Sequence, residues 1–275
     1  MLAWFEPRRR AYPWRRTRDP YRVLVAEVML QQTQAARVEP AFARFLRAFP
    51  SLRALARAPL REVLVAWDGL GYNRRAVALA EAARRIAREH GGRVPRDPTA
   101  LRSLPGVGPY TAAAVASIAF GLPAATVDTN VRRIVSRVTA GAEDLGAGRV
   151  RELAQAWLDP RDPGAWNQAL MDLGRELCRP RPRCEPCPLR TGCRYAAGHR
   201  SVVAPRRKDA EPFAGSMRQL RGAVVRALRR LPSATVDELT RTVGADGERV
   251  AEAVRRLSAE GLLERAGRRV RLASG

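Results

Sequence analysis

Lysine is nearly missing from this chain. Of its 50 basic residues one is a lysine, Lys208, and the rest are arginine. A chemistry built on a side-chain amine therefore has one residue to draw on. Cysteine is scarce too: there are four, all between Cys178 and Cys193. A disulfide framework would normally scatter its cysteines, so this clustering points to a metal site. Long hydrophobic runs are absent. Uncharged stretches such as 111–127 suit a buried helix and its exit, not a membrane span. Leu2, Ala3 and Trp4 ahead of an arginine cluster are in the wrong order for a secretory signal, so a cytoplasmic protein with no membrane partner is expected. Acidic residues are also few, 27 in all, which leaves a net charge of +23. A genome rich in G and C favours arginine codons but does not explain why acids fail to balance them. A polyanion is therefore the expected partner, since each cation placed on a phosphate releases condensed counterions.

What is present is helical periodicity. Apolar residues recur at three- and four-residue spacing over 21–34, 40–48, 59–67 and 75–90. Strand-like alternation is nearly absent before residue 260. The fold class expected is mainly α. The texture changes after Cys193. Residues 199–212 are polar, basic and proline-containing, and read as a linker. Helices are expected at 216–231, 236–243 and 246–260, then a two-stranded hairpin turning at Ala266 and Gly267. Three helices and a basic hairpin predict a small winged-helix-like domain over 213–275.

Four motifs carry chemistry. In LPGVGPYT (Leu104 to Thr111), Gly106 and Gly108 flank Val107 and a helix follows at once. Such a hairpin lets backbone approach a phosphate, with helix N-terminal amides facing the anion. Cys178, Cys184, Cys187 and Cys193 lie within sixteen residues. Zinc ribbons usually show two Cys-x-x-Cys knuckles. Here only Cys184 and Cys187 form one, which favours an iron–sulfur cluster over zinc. Glu27 stands in an apolar helix turn beside Val28, Met29 and Leu30, where desolvation would raise its pKa toward general-acid duty. Asp128 precedes a helix pattern as an N-cap would, a role compatible with catalysis.

Taken in order, these pieces resemble the helix-hairpin-helix, endonuclease III-like DNA glycosylase superfamily, and within it the adenine DNA glycosylases. The resemblance runs from about Tyr12 to Cys193. It is densest in PWR (Pro13–Arg15), DPYRVLVAEVMLQQTQ, GLGY (69–72), LPGVGPYTAAAV, the Asp128 segment, NQALMDLG (167–174) and the cysteines. It implies two helical subdomains and an iron–sulfur loop in a domain over 1–198: a six-helix part at about 19–127, and an iron–sulfur part made of 1–18 and 128–198. It further implies a [4Fe-4S] cluster on the four cysteines. Glu27 would protonate the departing base and Asp128 would stabilise the cationic sugar. Tyr110 takes the place where relatives with lyase activity carry a Schiff-base lysine. Trp14, Arg15, Leu30 and Gln168 would line the base pocket. Gln32 and Tyr72 would wedge into the duplex, and Gly106, Val107, Gly108 and Thr111 would bind its backbone.

The expected function is a monofunctional DNA glycosylase of base excision repair. It would act as a monomer on double-stranded DNA and release adenine mispaired with 8-oxoguanine or guanine. Departures from the adenine pattern motivate a second reading, a mismatch thymine or uracil glycosylase of the same superfamily. Tyr12 stands where leucine is common, Thr129 where glycine is, and Asn73 where a second tyrosine is; the first cysteine gap is five residues, not six; and the C-terminal segment does not resemble the Nudix-like domain of many relatives. A third reading is a non-catalytic DNA-binding protein with a structural cluster, against which Glu27 and Asp128 together argue.

Overall fold

A computed structural model describes residues 1–198 and 212–274. Fourteen α-helices and three strands are found among them. In chain order they are α1 (Leu2–Phe5), α2 (Pro20–Leu30), α3 (Ala35–Ala48), α4 (Leu52–Arg57), α5 (Leu60–Ala66), α6 (Arg74–Glu89), α7 (Pro98–Ser103), α8 (Pro109–Phe120), α9 (Thr129–Ala140), α10 (Ala147–Ala156), α11 (Pro163–Glu176), α12 (Met217–Arg230), β1 (Ala234–Thr235), α13 (Val236–Val243), α14 (Gly247–Ala259), β2 (Leu263–Ala266) and β3 (Arg269–Leu272). The expected mainly helical class is found. No described helix is long and apolar enough to cross a membrane. The expected linker, with Lys208, lies almost wholly outside the described residues.

Two compact units are present. The first comprises Met1–Glu27, Pro95–Ser103 and 107–198; the second comprises Val28–Val94, Leu104–Gly106 and 212–274. This differs from the expected partition. Residues 95–103 and 107–127 group with the N- and C-terminal parts of the glycosylase segment, and the winged-helix segment groups with 28–94.

In the first unit α9, α10 and α11 close on a core of Val131, Ile134, Val135, Val150, Ala154, Leu170, Leu173 and Leu177. Gly174 is required there, because a Cβ on it would lie 2.4 Å from the Cβ of Asn130. Phe5 of α1 is fully buried and packs with Ala165 and Ala169 of α11.

In the second unit α4 and α5 pack on α6, and Phe45, Trp67, Leu79 and Ile86 are buried. Two helix expectations need correction. The periodic stretch 21–34 stops being helical at Leu30, because Gln32 adopts φ +55° and breaks the ladder. Pro40 does not start its helix but lies inside α3, which begins at Ala35. The hydrogen bond lost at Pro40 is tolerated because α3 buries Val38, Ala41, Phe42 and Phe45 on one face.

The C-terminal segment, in the same unit, folds as α12, α13 and α14 with a small antiparallel sheet. Its strand order is β1-β3-β2, so Ala234–Thr235 adds a third strand to the expected hairpin. The turn falls one residue later than expected, between Ala266 and Arg269, with Gly267 at φ +63°. Thr235 and Glu238 form a reciprocal capping box at the start of α13.

Candidate active site

Glu27 is carried into the protein by its neighbours. Val23, Leu24, Val25, Ala26, Val28 and Met29 are all buried, so an α2 committed to the core takes Glu27 with it, 7% exposed. Its pKa is raised to about 7. Burial is the main cause; the Arg15 guanidinium and a hydrogen bond from the Tyr110 hydroxyl pull it down, and nearby Asp128 pushes it up. At neutral pH this carboxyl is poised between acid and base.

Tyr110, in the first turn of α8, is pushed well above the ordinary phenol range by burial and by Glu27 and Asp128. It stays a neutral hydroxyl donor, and its oxygen also lies 3.2 Å from Met171 Sδ. Asp128 is the N-cap of α9, as expected. One oxygen accepts from the amides of Asn130 (2.9 Å) and Val131 (2.7 Å), and the other from Asn130 Nδ2 (2.8 Å). These three hydrogen bonds at the start of α9 fix the direction of the side chain. Thus an acid that holds its proton near neutrality and the side chain that caps α9 interact electrostatically in the first unit.

Arg15 follows Trp14 in a single 3-10 turn, Pro13–Arg15. Its guanidinium makes a two-pronged pair with Asp172 of α11 at 2.7 and 2.8 Å, with both side chains buried. Phe5 and Tyr12 present ring faces to it, each 5.7 Å away. Trp14 is buried and stacks on Tyr12 at 4.8 Å. Gln168 lies one turn before Asp172 on α11 and is buried, and its Oε1 has no hydrogen-bond partner. A buried unpartnered carbonyl oxygen is a ready acceptor for an amino group.

The hairpin residues divide. Gly108 caps α8, and nothing lies within 4 Å of where its Cβ would be, so its backbone is open to a ligand. Val107 and Thr111 have buried side chains, so only their main chains are available to a phosphate. Gly106, in the second unit, has φ +74°, and a Cβ on it would lie 2.8 Å from Ala78 Cβ. Its carbonyl accepts from Gln31 Nε2 at 3.3 Å.

Leu30 ends α2, half-buried, in that same second unit. Gln32 (φ +55°) and Tyr72 (φ +45°) also belong to this unit, and among the described residues they are the non-glycine positions of positive φ. Such conformations cost about 1–2 kcal/mol each and persist where the surroundings over-determine them. Tyr72 is 52% exposed. One residue organises both turns. Arg75 of α6 donates to the carbonyls of Val28, Met29 and Gln31 and to Thr33 Oγ1 on one side. On the other it donates to the carbonyls of Leu70 and Gly71. Its guanidinium lies 5.4 Å from the Tyr72 ring, and burial lowers its pKa to about 10.

The four cysteines are half-buried, unpaired, and line one pocket together with Ile134, Leu173 and Leu189. Among the described residues no three His, Cys, Asp or Glu side chains come close enough to hold a single metal ion. Two arginines of α9 fix the loop. Arg133 donates to the carbonyls of Cys178 and Gly174. Arg137, buried, pairs with Glu143 through three bonds, donates to the carbonyls of Arg179 and Pro180, and lies 3.8 Å from Cys178 Sγ.

Sequence reasoning missed three residues that shape these sites: Asp172, Asn167 and Arg75. Asp172 and Asn167 stand in an otherwise apolar helix pattern, which marks a polar side chain with a buried task. Asn167 bridges Ser117 Oγ, the Ala124 carbonyl and the Thr126 amide, and so holds the chain leading to Asp128. Arg75 gave no signal, being one arginine among many.

Comparison with known proteins identifies the family. Residues 25–160 match the HhH-GPD superfamily of base excision DNA repair proteins. The adenine DNA glycosylase of Mycolicibacterium smegmatis is 43% identical over 234 residues, covering 83% of this chain and 79% of that one. The adenine DNA glycosylase of Mus musculus is 42% identical over 236 residues, 80% of this chain, which spans 46% of the mouse protein's length. Among solved structures a thermostable thymine-DNA glycosylase superposes with a TM-score of 0.66 at 35% identity, covering 72% of this chain and 93% of that one. The chain that holds this buried acid, the aspartate cap of α9 and the glycine hairpin belongs to the HhH-GPD superfamily of base excision DNA repair proteins.

Proposed function

We propose that this protein is a monofunctional DNA glycosylase that hydrolyses the N-glycosidic bond of adenine mispaired with 8-oxoguanine or guanine. It would act as a monomer on double-stranded DNA in the cytoplasm. The observation that carries this reading is Glu27, buried and with a pKa of about 7. Its neutral form donates a proton to a ring nitrogen of the flipped purine. The bond between sugar carbon and base nitrogen then breaks, and its electron pair leaves with the base. The Asp128 carboxylate stabilises the positive charge left on the sugar. Water adds to the sugar carbon and its proton returns to Glu27. Tyr110 holds Glu27 through its hydroxyl, and the Arg15–Asp172 pair fixes the turn that carries Trp14.

Outside this centre the open backbone at Gly108 and the N-terminus of α8 suit a phosphate. Tyr72 and Gln32, both held in strained turns, suit insertion where the base has left the stack. Cys178, Cys184, Cys187 and Cys193 would hold a [4Fe-4S] cluster. The four thiols line one pocket, a donor set that fits such a group. When bound, the cluster ties the 178–193 loop together.

The test is base release under single-turnover conditions from duplexes carrying A opposite 8-oxoguanine, A opposite G, and T or U opposite G. Release from the first two, and not the last, is expected. A second reading, a thymine or uracil mismatch glycosylase, is favoured by the likeness to the thymine-DNA glycosylase structure and by Tyr12, which stacks on Trp14. Preferential release of T or U would select it.

A further inference from the structure

The winged-helix segment has no part in the chemistry above, yet it grips one loop of the second unit. That loop is Asp68–Asn73. Gly69, Gly71 and Tyr72 all have positive φ, and the loop joins Trp67 to α6. From within, Trp67 Nε1 donates to the Gly71 carbonyl at 3.0 Å, and Arg75 donates to the Leu70 and Gly71 carbonyls. From the other side comes Arg229 of α12. Its Nε donates to the Leu64 carbonyl at 2.9 Å, one terminal nitrogen to Asp68 Oδ1, and the other to Asn73 Oδ1 at 3.0 Å.

Asp68 and Asn73 are the two ends of the turn that bears Tyr72, so one planar guanidinium spans its mouth. The Arg229 side chain is 11% exposed, and its helix is tied to the start of α5. Arg61 of α5 donates to the Leu228 carbonyl, and the Leu60 amide donates to the Ser274 carbonyl at 3.0 Å. Asn73 makes no capping hydrogen bond to α6, which leaves its side-chain oxygen to Arg229. Meanwhile several basic residues of the segment are already paired with its own acids: Arg255 and Arg256 with Glu252, Arg269 with Glu238, and Arg271 with Glu264.

We propose that the C-terminal winged-helix segment is a clamp which, through Arg229, holds the Tyr72 turn in its left-handed conformation so that the tyrosine is presented to the duplex. Arg229 is then a positioning residue for base extrusion. The proposal rests on the reading of Tyr72 as a wedge.

The experiment uses full-length protein with Arg229→Met, the surface double variant Asp68→Ala/Asn73→Ala, and Tyr72→Ala as a marker. Single-turnover release is compared on two duplexes: the full mispair, and one whose opposite nucleotide is an abasic site, so that no pair has to open. Stopped-flow fluorescence of 2-aminopurine beside the target follows extrusion, and Arg229→Lys tests whether charge alone suffices. Arg229→Met and the double variant should each lose about tenfold on the mispair, with slower extrusion, as expected for a misplaced positioning group. Their rates on the abasic-opposite duplex should stay within about twofold of wild type, and Arg229→Lys should rescue only in part. Equal losses on both duplexes, as a folding defect gives, overturn the clamp. It is also overturned if Tyr72→Ala slows the mispair while the other variants do not. If Tyr72→Ala itself leaves the mispair rate unchanged, the wedge reading fails first.

Discussion

A carboxyl kept protonated by burial stabilises the fold less as pH rises. In the folded protein Glu27 holds its proton up to about pH 7, whereas its ordinary value is 4.5. Between those values the folded state binds more protons than the unfolded one. Stability therefore declines through that window, by about 3 kcal/mol in all. Two outcomes follow for Glu27→Gln, which keeps the shape but has no catalytic proton. Base release should fall by about a hundredfold or more with duplex binding retained, read by single-turnover assay and fluorescence anisotropy. Its melting temperature should exceed that of wild type at pH 8, and this advantage should vanish toward pH 4.5. Independently, the wild-type single-turnover rate should fall about tenfold per unit above pH 7, as the acid form is lost. A plateau to pH 9 would remove Glu27 as the proton donor. The burial of Glu27 was legible in the sequence because its own helix turn is apolar. The Arg15–Asp172 pair was not, because its members lie 157 positions apart and meet only once α11 is in place.

At the scale of elements, the two hairpin glycines have different reasons to be glycine. Gly106 has a positive φ and no room beside Ala78, whereas Gly108 is extended with open space around it. Gly106→Ala should therefore cost about 2–4 kcal/mol in urea unfolding. Gly108→Ala should leave the unfolding midpoint nearly unchanged while weakening duplex binding. Equal stability losses would contradict the packing described. The hairpin, the Asp128 cap and the three C-terminal helices could all be read from local signals: glycine spacing, a capping side chain and amphipathic period. The end of α2 could not, because polar Gln31, Gln32, Thr33 and Gln34 continue a helical pattern, and only the contacts of Arg75 show the chain turning there. Nor could β1, since a two-residue strand exists only by pairing with β3.

Two outcomes belong to the whole molecule. Protein purified without air should be brown and carry about four iron atoms per chain, the content of a cubane. Stoichiometric zinc without iron would replace the cluster by an ion site. Borohydride should not trap the protein efficiently on a duplex from which it is releasing the base. Trapping needs an unprotonated amine at the sugar carbon; on the proposed reading Tyr110 stands in the Schiff-base position, and the chain's single lysine lies at position 208. Strand scission keeping pace with base release would overturn this.

Arg75, Arg133, Arg137 and Arg229 spend their donors on carbonyl oxygens and carboxylates of their own chain, several bonds from each planar fork. That has a consequence for how the sequence can drift. A lineage whose genome moved toward A and T could exchange many exposed arginines for lysine at little loss, since an ammonium serves a phosphate nearly as well as a point charge. These four could not be exchanged so freely. Lysine has three donors on one atom and cannot reach both sides of a turn. The arginines that survived such a shift would mark the protein's internal joints, and those that did not would mark its surface.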